Sequence, residues 1–172
     1  MKRLLLLFIV SLSFVSSFAQ KQELEDEKKN LLSVSLGYTF IPQGSSHEEE
    51  EADGVFIPSI GFDYFRRIHP RWEIGLMVDL ELGEYIISHK ELNRKNALAL
   101  IAMGSFTVNK HINLFAGGGM EFEKHHNLGV LRLGAEYVFH LKKQWVISPG
   151  FFYDFKEGFD TWSLSLSFGK EF

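Results

Sequence analysis

From Asp160 to Phe172 the chain alternates between bulky apolar residues (Trp162, Leu164, Leu166, Phe168, Phe172) and small or polar ones (Thr161, Ser163, Ser165, Ser167, Gly169, Glu171). Successive side chains of a strand point to opposite sides, so this segment predicts a strand whose two faces meet different solvents. A period of two, held over this length, is what a strand crossing a hydrocarbon layer requires.

Seven upstream segments carry the same period. Leu32, Val34, Leu36, Tyr38 and Phe40 oppose Ser33, Ser35, Gly37 and Thr39. Between Val55 and Phe65, Phe56, Ile60, Phe62 and Tyr64 oppose Ser59, Gly61 and Asp63, and Pro58 predicts a bulge or an unpaired position. Trp72, Ile74, Leu76, Val78, Leu80 and Leu82 oppose Glu73, Gly75, Met77, Asp79, Glu81 and Gly83. In the segment Ala97 to Val108 the register is ambiguous, because Leu98, Leu100, Phe106 and Val108 share one side while Ile101 and Met103 fall on the other. Ile112 to Phe122, Leu131 to Phe139 and Trp145 to Phe155 complete the set.

The connectors after segments two, four and six are short, and those after one and three are long. An even-stranded barrel with both termini on the inner side has this asymmetry, with tight inner turns and longer outer loops. The expected fold is all-β: an eight-stranded antiparallel up-and-down transmembrane β-barrel over residues 31–172.

Residues 1–19 read as a signal peptide. Lys2 and Arg3 precede the apolar run Leu4 to Val10, and Ser17, Phe18 and Ala19 supply a small-residue cleavage pattern. Residues 20–30 form a polar tail. Outside the leader no apolar run approaches the length of a transmembrane helix, so insertion must be by strands. The chain has no cysteine, which excludes disulfides and thiolate metal sites. Without Lys2 and Arg3 the chain carries 16 basic against 22 acidic residues, a charge that argues against nucleic acid as a partner.

A soluble lipocalin-like barrel also alternates, with its apolar face lining a pocket. Volume separates the two. The apolar faces hold about forty side chains, most of them large, whereas an eight-stranded barrel encloses little more than its own side chains or one small ligand. So many Leu, Phe and Trp must face out, and only lipid tolerates them as a continuous belt. Aromatics then fall into two girdles: Tyr38, Phe40, Phe56, Phe122, Tyr153, Phe155 and Trp162 outside, and Tyr64, Trp72, Phe106, Tyr137, Phe139, Trp145 and Phe168 inside.

The opposite face becomes a narrow, polar lumen with a charge cluster of Asp63, Glu73, Asp79, Glu81, Glu121, Arg132 and Glu136. Arg132 is the one basic residue expected deep inside, paired with one or more of these carboxylates, because a lone buried ion is costly.

The chain resembles the small eight-stranded bacterial outer-membrane barrels of the OmpA, OmpX and OmpW type. The likeness covers the mature chain and is most pointed in Trp162 to Phe172, where Leu164, Leu166, Phe168 and Phe172 are similar to the signal read by the outer-membrane assembly machinery. The place two before the final Phe, often aromatic in that family, is Lys170, which can snorkel to water at the inner rim. The resemblance implies residence in the bacterial outer membrane, with its lipid and its assembly machinery as partners. It implies a structural or surface-interaction role, or at most passage of very small solutes, and a surface ligand that the sequence does not identify.

Candidate chemistry is sparse, and neither a catalytic residue nor a metal or cofactor site is assigned. The acidic run His47 to Asp53 could attract divalent cations but matches no defined calcium loop, and such runs are usually solvated. His125 and His126 are adjacent, so on a strand they point apart and chelate poorly. An outer-membrane enzyme acting on lipid A, the rival class, would have His126, or His140 near Glu136, as its base; no nucleophile, base and orienting acid assemble from spacing. Gly117, Gly118 and Gly119 are not a phosphate loop, since neither a helix pattern nor Lys-Ser/Thr follows, and they predict close packing.

Overall fold

The computed structural model describes residues 28–45, 54–87, 92–124 and 126–172. The expected signal peptide, most of the polar tail, the acidic run 47–53 and His125 lie outside the described residues. The strands are β1 (Asn30–Ile41), β2 (Gly44–Ser45), β3 (Val55–His69), β4 (Trp72–Glu81), β5 (Glu84–Ile87), β6 (Leu92–Lys95), β7 (Leu98–Asn109), β8 (Ile112–Phe122), β9 (Leu128–Tyr137), β10 (Phe139–His140), β11 (Trp145–Lys156) and β12 (Phe159–Glu171). β1 opens one residue inside the stretch assigned to the tail, because Asn30 already pairs with Arg66.

Eight long strands pair antiparallel in the cyclic order β1, β3, β4, β7, β8, β9, β11, β12, and β12 closes on β1. Following partners from Asn30 through Arg66, Ile74, Gly104, Ala116, Leu133, Tyr153 and Trp162 returns to β1 at Phe40, ten residues further along. With eight strands, that stagger tilts them by roughly 40° and sets a backbone radius of about 8 Å, a bore that side chains fill.

The apolar face is outside. Leu164 and Leu166 are each 55% exposed, whereas Ser167 between Leu166 and Phe168 is 5% exposed. Val34, Leu36, Phe62, Ile74, Leu76, Leu131 and Leu133 continue the belt around the barrel. β7 obeys the same parity despite its mixed sequence: Leu98 and Leu100 face out, and Ile101 and Met103 are buried within. The ambiguity arose because apolar residues occupy both faces there, one against lipid and one inside the bore.

Pro58 makes no bulge. The β1–β3 register runs unbroken through the Tyr38–Pro58 pair, and the β3–β4 ladder begins only at Ser59. The Pro58 carbonyl accepts the Leu82 amide at 2.8 Å, so its nitrogen, which has no proton to give, also faces the side just past the end of that ladder.

The long outer connectors add structure of their own. β2, β5 and β6 form a second, three-stranded sheet. It closes over the barrel mouth through a core of Ile41, Ile57, Tyr85, Ile87, Leu128 and Phe159.

Candidate functional site

The interior is layered, and the predicted charge cluster is divided between layers. At the inner end a cavity of about 210 Å³ is lined by Asp63, Glu73 and Glu136 among others. The Ser33 hydroxyl donates to Asp63 Oδ2 at 3.3 Å, and Arg67 Nε donates to Glu73 Oε1 at 3.0 Å. These three carboxylates therefore share a vestibule open to the inner side, away from Arg132.

Above the vestibule the bore is apolar, where a narrow, polar and largely plugged lumen was expected. Phe65, Met77, Ile101, Met103, Phe115 and Phe152 form a buried cluster, with Phe115 edge-on to Phe65 at 5.5 Å and 5.7 Å from Phe152. Such rings fit because neighbouring inward positions are glycines. A Cβ on Gly75 would lie 2.6 Å from the Phe65 ring, and one on Gly134 would meet the Phe152 ring within 2.6 Å.

Arg132 sits on this layer, its guanidinium 5.6 Å from the Phe152 ring centre. It grips Asp154 with two bonds, Nε to Oδ1 at 2.6 Å and Nη2 to Oδ2 at 2.8 Å, and a third bond joins Nη1 to Asp79 Oδ2. A planar guanidinium suits this three-point arrangement better than an ammonium would. Asp154 was absent from the predicted cluster although it lies on the inward face, directly opposite Arg132 in the β9–β11 register. Here the remaining space, bordered by Ser35, Thr39, Ser163 and Ser165, is only about 20 Å³.

A second ionic layer follows. Lys156 Nζ donates to Glu81 Oε1 at 3.1 Å and lies 2.5 Å from Glu121 Oε2. Arg94 reaches in from β6 in the outer sheet, pairing through Nη2 with Glu121 Oε1 and through Nη1 with the His126 carbonyl. Tyr85 of β5 donates its hydroxyl to Glu81 Oε2 at 2.9 Å. Burial, with Glu81 and Glu121 nearby, holds that phenol above its ordinary range, so it stays a donor. Arg132 is thus not the sole buried cation: Lys156 and Arg94 join it, both with buried side chains. Parity places Lys156 inside, two residues past Asp154, but it ends the strand where sequence reads as a turn. Arg94 comes from a loop whose inward course no periodicity reveals.

The other candidates do not converge. His126 contributes its backbone carbonyl, and His140 is exposed at the opposite end, its ring 6.4 Å from that of His111. Among the described residues, no group of three or more His, Asp or Glu is arranged to hold a metal ion. Leu164, Leu166 and Phe168 on β12, and Phe172 just past its end, are all exposed. Lys170 Nζ rests 5.4 Å from the centre of the Trp145 ring, which itself stacks on Phe168 at 4.7 Å, so this lysine caps an aromatic pair.

Solved structures share this arrangement. Ail, the attachment invasion locus protein of Yersinia pestis, solved with the heparin analogue sucrose octasulfate, superposes with a TM-score of 0.58 at 13% identity, over 85% of this chain and 99% of that one. Neisserial surface protein A superposes at 0.55 with 9% identity, over 86% and 100%. The fold is that of the small eight-stranded outer-membrane barrels. At such identities the outer-membrane barrel is shared as architecture, and its loops and lumen are this chain's own. No protein-family model matches the chain, and no curated protein sequence does.

Proposed function

We propose that the chain is a closed outer-membrane barrel whose role is structural or surface-interacting, with no continuous aqueous path. The observation that carries this reading is the stack across the bore: the apolar Phe65–Phe115–Phe152 layer, the Arg132 layer, the Lys156 layer and the outer sheet. Each alone would narrow a pore of this radius, and together they leave the vestibule a dead end. The exposed apolar belt and the aromatic pairs at both rims, Phe40 with Trp162 outside and Trp72 with Phe106 inside, support residence in a bilayer. The leader at residues 1–19 and the β12 pattern support export and handling by the assembly machinery.

The first outer connector concentrates acid, with four Glu and one Asp between residues 48 and 53. Its charge disfavours a polyanion such as the sulfated sugar held by Ail and suits a neutral or cationic surface partner.

Two measurements test the reading. Fractionated cells should yield the protein only with detergent, and recovery in the aqueous fraction would return the soluble ligand-carrying barrel. In planar bilayers the purified barrel should give no stable conductance steps, and Arg132→Ala should remain silent because the other layers persist. Regular steps from the unmodified protein would refute the closed lumen.

A further inference from the structure

The inner end of the barrel sorts its charges by direction. Its carboxylates point inward, with Asp63, Glu73, Glu136 and Glu171 all lining the vestibule. Apart from Arg67, which pairs with Glu73 inside, and Lys110, which borders the vestibule, its cations point outward. Arg71 in the β3–β4 turn, Lys110 in the β7–β8 turn, and Lys142 and Lys143 in the β10–β11 turn are all exposed. So are Lys28 and Lys29 before β1, Arg66 on β3 and Lys170 on β12, and none of these eight is ion-paired with another described residue. Arg66 and Lys170 flank the start of β1 from its two neighbours, at the Asn30–Arg66 and Leu32–Lys170 pairs, on the face that carries the lipid-facing Leu32.

The turn cations lie just beyond, and Arg66 and Lys170 beside, a ring of aromatic pairs: Trp72 with Phe106 at 4.9 Å, Tyr137 with Phe139 at 4.8 Å and Trp145 with Phe168 at 4.7 Å. Such rings mark the boundary between hydrocarbon and headgroups, so the next groups outward lie at the depth of lipid phosphates. A protein docking from the aqueous side would meet the turn tips but not Arg66 and Lys170, which sit on the membrane-facing side of their strands. We infer that the inner rim selects anionic phospholipids, of the phosphatidylglycerol class, from its leaflet. Attraction to an anionic headgroup, at the usual strength for one basic residue near a charged membrane surface, corresponds to about fivefold enrichment over a zwitterionic lipid.

The three tryptophans provide the probe, since Trp72 and Trp145 belong to the inner rim and Trp162 to the outer one. The full chain is folded into phosphatidylcholine vesicles containing phosphatidylglycerol, with bromine on the acyl chains of one lipid or the other. A Trp162→Phe variant reports the inner rim, and a Trp72→Phe/Trp145→Phe variant reports the outer. The inner pair should be quenched by brominated phosphatidylglycerol as if that lipid were enriched about fivefold, and Trp162 should show no preference. The preference should fall with added salt and weaken clearly in Arg66→Gln/Lys142→Gln/Lys143→Gln/Lys170→Gln made on the Trp162→Phe background. Equal quenching by both lipids at the inner rim, or a preference undiminished by the four substitutions, would overturn the inference. The comparison between rims stands without the fourfold variant, so misfolding of that variant does not rescue the idea. Quenching by brominated phosphatidylcholine at both rims separately establishes bilayer insertion.

Discussion

Glu121 is a fully buried carboxylate with two cations: Arg94 arrives from the outer sheet and Lys156 from β11, and both end on its oxygens. Removing one charge from a buried ionic group costs more than removing the whole group, because the partners stay behind unpaired. Glu121→Gln should therefore cost about 3 to 5 kcal/mol in reversible urea unfolding from lipid vesicles. A cost below about 1 kcal/mol, the range of exposed ion pairs, would show that water reaches the site. Tyr85→Phe, which removes only a donor to Glu81, should cost about 1 kcal/mol by the same measurement. At this scale the sequence was half legible. The inward carboxylates follow from parity, but their partners do not: Asp79 and Arg132 meet across two intervening strands, and Arg94 belongs to a loop.

Elements are governed by which face a position occupies. Gly118 and Gly119 are neighbours in β8 with opposite fates. A Cβ on Gly118, facing out, meets nothing closer than the Val130 carbonyl at 3.5 Å, whereas one on Gly119, facing in, lies 2.7 Å from the Ile101 backbone. Gly118→Val should fold normally, and Gly119→Val should break the β7–β8 ladder; the mobility of unheated samples on a denaturing gel distinguishes folded from unfolded barrels. Equal behaviour would contradict the facing of β8. On β12, Leu166 pairs with Leu36 near mid-height of the belt. Leu166→Arg should cost about 2 to 4 kcal/mol of folding free energy in lipid, falling towards zero for the same change at the rims. The strands were readable because their period reports two solvents at once. β2, β5 and β6 were not, since short loop strands that cover a mouth carry neither the period nor the length that would announce them.

For the whole molecule, the number of strands, their facing and the inner-turn and outer-loop asymmetry were open to inspection in the chain, because volume alone forbids so many large side chains inside a bore this narrow. The stratified filling was not. Phe65, Met77, Phe115 and Phe152 look like irregularities in an alternating pattern until the inward glycines of other strands are seen to make room for them. Closure depends on the two ends of the chain, since Asn30 and Phe172 exchange backbone hydrogen bonds at 2.9 and 2.8 Å. A chain ending at Lys156 should therefore fail to reach the folded gel form, and a compact species from it would mean that seven strands can seal on their own.

That junction also dictates a timetable. The first strand has one neighbour ready early, in the hairpin with β3, but its other flank waits for β12, the last of the eight barrel strands to be made. Until it arrives, a bare strand edge is open to any passing chain, and the pairing that ends the wait spans nearly the full sequence, the kind of contact that forms slowly. The protein's circular connectivity thus makes the closing step slow and leaves the chain prone to edge-to-edge association until that step is made.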